Sequence, residues 1–198
     1  ELPSQEEVDA FLPPPATNWH AALDPLRPMA VDPLTGGAGG PGPSMFVRYR
    51  KGQCSSMQHA LAVIEAAHED WARIVGRGRR GTPVAGAGRR HAPLVESYRM
   101  DDAETALVTL GSMTGAAKDA VDEARDRGER VGLVKVKTYR PFPVQAIAKA
   151  LSGVKAVGVV DRSVSFGWNC GPLYQDVIGA LQFAAQRPVA MSFIGGLA

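Results

Sequence analysis

Four short apolar runs recur in the second half of this chain, each bounded by turn-forming residues and separated from the next by a stretch with helical spacing. They are Thr105-Ala-Leu-Val-Thr-Leu110, Val131-Gly-Leu-Val-Lys-Val136, Ala156-Val-Gly-Val-Val160 and Val189-Ala-Met-Ser-Phe-Ile194. Runs this short, rich in valine and without strict polar alternation, read as strands covered on both faces. Strands that alternate with helices of about a dozen residues require right-handed crossovers and a parallel sheet between helical layers. The expected fold over 105–194 is therefore α/β: an open, mainly parallel sheet flanked by helices, with Leu94-Val-Glu-Ser-Tyr98 as an additional strand.

The intervening helices can be placed by their breaks. A helix over 114–127 stops at Gly128, with Ala116, Ala117, Ala120, Val121 and Ala124 expected inward. A second, over 144–151, shows Val144, Ile147 and Leu151. A third starts at Pro172, a residue suited to the first helical turn, and buries Leu173, Val177, Ala180, Leu181 and Ala184.

The first half is organised differently. Ser4-Gln-Glu-Glu7 is a capping box opening a short helix that ends before Pro13-Pro-Pro15. From there to about residue 44 proline and glycine dominate, with Trp19, Leu23, Leu26 and Met29 as scattered apolar anchors; an extended linker is expected. Gly36-Gly-Ala-Gly-Gly-Pro-Gly42 lacks the Lys-Ser/Thr ending of a phosphate loop. Met57, Leu61, Ile64, Ala67, Trp71 and Ile74 recur at three- and four-residue spacing, which predicts a long amphipathic helix over 56–75. The expected division is a linker region over 1–55 and an α/β domain over 56–198, with 77–91 as a mobile basic loop.

Composition removes several classes of function. Two cysteines in 198 residues, Cys54 and Cys170, have no second Cys or His at ligand spacing, so neither a zinc nor an iron–sulfur site is encoded. His59 and His68 are not at the i, i+4 spacing that metal binding uses. No apolar run approaches the roughly 20 residues of a membrane helix, and a soluble, cytoplasmic chain with reduced cysteines is expected. The arginines of 77–91 have no aromatic residue near them to stack a base, and a net charge of +2 is unremarkable, so no nucleic-acid partner is expected.

Chemistry in an open α/β sheet sits beyond the carboxyl ends of the strands, where helix amino-termini direct free amides. Ser112 and Thr114 fall there, suited either to N-capping or to an anion. Arg140 and Arg162, with Asp161, can clamp a carboxylate or phosphate, or form ion pairs with a neighbouring subunit. These five residues are the candidate interface or anion-contact edge. No nucleophile–base–orienter pattern is visible, and no catalytic, cofactor-binding or metal-binding residue is assigned.

Several motifs occur together and in order: Phe11-Leu-Pro-Pro-Pro15, Leu23-Asp-Pro25, Leu110-Gly-Ser-Met-Thr-Gly115, Tyr139-Arg-Pro-Phe-Pro143, Val160-Asp-Arg162, Ser165-Phe-Gly167, Gly171-Pro-Leu-Tyr174 and Phe193-Ile-Gly-Gly-Leu197. In this combination the chain resembles the carboxy-terminal part of the alpha subunit of the pyruvate:ferredoxin (2-oxoacid:acceptor) oxidoreductase family. The resemblance implies a transketolase C-terminal-like domain preceded by a wrapping linker. It implies a complex that decarboxylates a 2-oxoacid with thiamine diphosphate and Mg2+, passes electrons through 4Fe-4S clusters to ferredoxin or flavodoxin, and releases an acyl-coenzyme A. None of these cofactors is expected on this chain alone. The expected partners are the thiamine-binding first domain of the alpha subunit, on the same or a separate polypeptide, and beta, gamma and delta subunits or domains. The expected role of this piece is structural, without activity by itself. Pyruvate is the leading substrate, with 2-oxoglutarate, branched-chain or aryl 2-oxoacids and oxalate as alternatives; a non-enzymatic α/β binding or scaffold module is the alternative of another class.

Overall fold

The apolar runs form strands whose side chains alternate between two helical layers, and the computed structural model describes them within residues 3–12, 45–75 and 94–196. The chain divides into two compact units, Glu1–Gly88 and Arg89–Ala198.

In the first unit, α1 (Gln5–Phe11) carries the expected capping box. The Glu7 amide donates to Ser4 Oγ at 3.2 Å, and the Ser4 amide donates to Glu7 Oε2 at 2.8 Å. α2 (Met45–Val75) is longer than the spacing of apolar residues predicts, starting at Met45 rather than Ser56. Gly52 lies inside it, and a Cβ there would meet nothing within 4 Å. The Phe11 and Trp71 rings meet edge to face, centroids 4.9 Å apart. The expected boundary at 55/56 therefore cuts a continuous helix, and α2 clusters with the amino-terminal unit rather than with the sheet. The linker over 13–44, including Gly36–Gly42, and the basic loop over 77–91 lie outside the described residues.

The second unit is a five-stranded sheet of β1 (Val95–Tyr98), β2 (Thr105–Leu110), β3 (Val131–Val136), β4 (Ala156–Asp161) and β5 (Val189–Ile194), in the order β1-β3-β2-β4-β5. Four strands are parallel, and β1 joins β3 antiparallel as an edge. Three helices connect them: α3 (Met113–Asp126), α4 (Val144–Ala150) and α5 (Pro172–Leu181).

Period-two alternation assigns the layers. Val108, Val134, Val136, Val157 and Val159 join Ile147, Leu173 and Val177 in one core beneath α4 and α5. Thr109, the next residue along β2, faces the other way and bonds Thr114 of α3. α3 packs on β2 and β3, and among the described residues nothing covers the same face of β4 and β5. There Val189, Met191 and Phe193 are exposed, and the Phe193 ring lies across Gly158. The inward face of α3 also differs from expectation: Thr114, Val121 and Ala124 are buried, while Ala116 and Ala120 face solvent. Among the described residues no helix is long and apolar enough to cross a membrane.

Candidate functional site

The chain leaves β2 for β3 on one side and returns to β4 on the other, so strand order reverses between β2 and β4. Their carboxyl ends splay apart at this point, which is where open α/β sheets hold ligands. A cleft of about 200 Å3 opens there, with Leu110, Met113, Tyr139, Asp161, Arg162 and Pro172 among the residues that line it.

Asp161 ends β4 and is buried, and its carboxylate is committed to α5. Oδ1 accepts the Leu173 amide at 3.0 Å and Oδ2 the Tyr174 amide at 3.1 Å. The reason is local. Gly171 is the N-cap and has no side chain to accept, and Pro172 has no amide, so the first free N–H groups of α5 need an acceptor from elsewhere. A strand-final carboxylate supplies it, with the amino end of the helix dipole as further support. Both carboxylate oxygens of Asp161 are thus engaged within the chain.

Thr114 is likewise turned inward. Its hydroxyl donates to the Gly111 carbonyl at 2.9 Å and lies 3.0 Å from the Thr109 hydroxyl, in the buried layer between α3 and the sheet. Ser112 stands at the N-cap position of α3 with helical backbone angles, makes no side-chain capping bond and is exposed. Ordinary side-chain capping, expected for this pair, is made by neither residue.

Arg140 does not turn toward the cleft. Its guanidinium donates to Asp176 of α5 at 2.9 and 3.1 Å and to the Tyr139 carbonyl at 2.8 Å, and it stacks over the Tyr139 ring at 4.2 Å. The peptide between Arg140 and Pro141 is cis. The Tyr139 hydroxyl is held above its ordinary pKa, by burial first and by the neighbouring Asp176 carboxylate second. Arg162 donates from Nε to the Gly196 carbonyl at 3.0 Å, and no carboxylate among the described residues pairs with it. The five candidates therefore share one edge without converging. Three are engaged inside the chain (Asp161, Thr114, Arg140), and Ser112 and Arg162 remain at the surface.

Gly171 and Asp176 escaped the sequence-based selection although both decide the geometry of this edge. The available signal was the Gly-Pro start of α5, which leaves amides without a local cap. Among the described residues no cluster of three His, Cys, Asp or Glu side chains could hold a metal, and Cys54 and Cys170 are separately exposed and buried.

Comparison with known proteins places this geometry. The family described as pyruvate:ferredoxin oxidoreductase core domain II matches residues 103–198. Over all 198 residues the chain is 60% identical to the alpha subunit of an NADH-dependent phenylglyoxylate dehydrogenase from Aromatoleum evansii. Over 197 residues it is 34% identical to pyruvate synthase subunit PorA of Pyrococcus abyssi. The chain spans 45% of the length of each of these relatives. A solved 2-oxoglutarate:ferredoxin oxidoreductase from Magnetococcus marinus aligns over 67% of this chain and 20% of its own, at 19% identity and a TM-score of 0.40.

Proposed function

We propose that this chain, whose residues 103–198 match the pyruvate:ferredoxin oxidoreductase core domain II, is the carboxy-terminal assembly domain of the alpha subunit of an aryl 2-oxoacid oxidoreductase. The observation that carries this reading is the gap between 60% identity to a phenylglyoxylate dehydrogenase subunit and 34% to a pyruvate synthase subunit, over the same full stretch. The complex would remove carbon dioxide from an aryl 2-oxoacid, transfer the remaining acyl group to coenzyme A, and send the released electron pair onward. The NADH-dependent relative favours a nicotinamide as final acceptor over ferredoxin or flavodoxin.

An assembly role fits the way the carboxyl edge is used. Asp161 and Thr114 hold helix starts in place and Arg140 holds α5 to the 139–143 turn. The bare apolar face of β4 and β5 offers area for another polypeptide. The residues present do not fit the cofactors of the family. Two cysteines cannot ligate a four-cysteine cluster, and the described residues contain no carboxylate group of the kind that holds a cation. Thiamine diphosphate, Mg2+, iron–sulfur clusters and coenzyme A would belong to the complex as a whole, and no chemical step is assigned to this chain.

Pyruvate is the second reading, favoured by the identity to PorA subunits. The test is to purify the assembled complex containing this chain and compare kcat/KM for phenylglyoxylate, pyruvate and 2-oxoglutarate with coenzyme A, using NAD+ or ferredoxin as acceptor. Phenylglyoxylate is expected to lead by at least tenfold. A preference for pyruvate replaces the first reading with the second. No turnover of any 2-oxoacid by an intact complex overturns both and leaves the scaffold module.

A further inference from the structure

The run Asp161-Arg-Ser-Val-Ser-Phe-Gly167 carries much of the resemblance to the family, yet only its first residue is explained by the fold. Past Asp161 the chain forms a small tongue between β4 and α5. The Ser165 amide donates to the Cys170 carbonyl at 2.8 Å, closing an isolated antiparallel bridge, and the Trp168 amide donates to the Ser165 carbonyl at 3.0 Å. Gly167 and Asn169 take left-handed backbone angles, with φ of 88° and 53°, residue types that tolerate them. The base is anchored: Cys170 is buried, and the Gln175 side chain of α5 donates to its sulfur. At the tip Phe166 is 93% exposed and Trp168 73% exposed.

A turn of this shape needs no aromatic residue at its tip; polar turn formers serve it and keep it in water. Two large rings held outward on a bridged, anchored loop lose little freedom when they are buried, the condition under which aromatic side chains become the strongest contributors to an interface. A membrane surface is disfavoured because shallow insertion draws on surrounding basic residues. Arg162, next to the tongue in sequence, is turned to the Gly196 carbonyl.

We propose that residues 163–170 are an anchor whose Phe166 and Trp168 rings seat in an apolar pocket on the part of the alpha subunit that lies outside this 198-residue stretch. The proposal rests on the assembly reading above. In the relatives this chain spans only 45% of the subunit. In those relatives the remainder is joined covalently to the stretch that matches this domain, at fixed stoichiometry, so it is the occupant that a permanent, preorganised anchor would meet first.

The experiment uses the assembled complex. Phe166→p-benzoylphenylalanine, an aromatic replacement, is irradiated and the crosslinked peptide identified by mass spectrometry. A crosslink to alpha-subunit sequence outside this stretch is expected. A crosslink to another subunit, to a second copy of this domain or to added lipid vesicles overturns the proposal, as does an assembled complex without any crosslink. Hydroxyl-radical labelling of the unsubstituted complex gives an independent readout. Trp168 should be oxidised at least tenfold more slowly than a tryptophan in a free peptide, and oxidation at the peptide rate overturns the anchor whether or not the Phe166 variant assembles. Turnover is scored separately. An active complex with its crosslink elsewhere ends the anchor and keeps the proposed function, whereas an intact complex inert toward every 2-oxoacid removes both.

Discussion

The Asp161 carboxylate crowds the space that any side chain on residue 171 would need: a Cβ on Gly171 would clash with Asp161 Cγ, Oδ2 and Cβ. Gly171 has ordinary extended backbone angles, φ −83° and ψ 158°, so it is glycine for room and not for conformational freedom. Its absence of a side chain and the reach of Asp161 are one arrangement. We expect Gly171→Ala to lower unfolding free energy by about 3 kcal/mol, through displacement of a buried carboxylate from two amides. Asp161→Ala should cost about 2–3 kcal/mol and Asp161→Asn about half that, since the amide keeps one acceptor oxygen. Urea unfolding midpoints at constant slope measure all three; a Gly171→Ala protein as stable as its parent would contradict the arrangement.

Two further glycines in the sheet make a contrasting pair. A methyl group on Gly132 would lie 2.8 Å from the Arg99 carbonyl oxygen and 2.5 Å from Met100 Sδ, and the backbone atom cannot yield. On Gly158 it would meet the Phe193 ring at 3.0 Å and Leu107 at 3.2 Å. The half-exposed Phe193 ring can swing outward. Gly132→Ala is expected to cost about 3 kcal/mol, and Gly158→Ala to fall within about 1 kcal/mol of neutral, because alanine also restricts the unfolded chain. Equal losses in thermal unfolding would show that the bare face of β4 is as tightly filled as the other.

The hydroxyl pair between α3 and the sheet has a direction. Thr114 donates its only hydroxyl hydrogen to the Gly111 carbonyl, so Thr109 donates to Thr114. Thr114→Val strands a buried donor and removes the bond to Gly111, and should cost about 2 kcal/mol. Thr109→Val removes the donor alone and should cost about 1 kcal/mol or less. The double variant should lose less than the sum. Strict additivity in this cycle would mean that the two hydroxyls are not bonded.

Acid should act through the seam between α3 and β1. Lys118 donates to Glu96 at 2.6 Å. That bond holds the Glu96 carboxyl below its ordinary value of 4.5, with burial opposing and the Lys118, Lys135 and Lys137 charges assisting. A carboxylate depressed by folding stabilises the protein fully above its unfolded pKa, and the contribution disappears as pH falls through the folded value. The pair is partly exposed, so at neutral pH Glu96→Gln should cost no more than about 1 kcal/mol. The gap between parent and variant should close as pH drops below about 4.5. A gap that stays constant down to strongly acidic pH would remove Glu96 from the acid response.

The sheet was legible because valine-rich runs between turn residues have few other destinations, and their alternation with helical stretches leaves a parallel layer as the economical solution. The antiparallel direction of β1 was not legible, since period-two patterning is blind to strand direction. Ala116 and Ala120 were placed inward because alanine suits either side of a helix and small side chains carry almost no burial signal; Thr114, Val121 and Ala124 mark the true face. α2 ran past its expected start because the apolar spacing that marks it begins only at Met57, while Gly52 is tolerated inside a long helix despite its intrinsic cost. At the carboxyl edge two of the selected residues are engaged within the fold. Charged side chains at strand ends suggest ligands, but Asp161 and Arg140 answer needs within the fold: the uncapped amides of α5 and the Asp176 carboxylate. Those needs become visible only when strand end and helix start are brought together.

The strand order has a bearing on synthesis. β1 emerges from the ribosome before every other strand of its sheet, yet its sole neighbour, β3, is made only after β2 and α3. Until then its backbone donors and acceptors have no native ladder to join, and the nascent segment resembles an unprotected sheet margin. Translation therefore delivers this domain from its rim inward, while pairing must proceed from its middle outward.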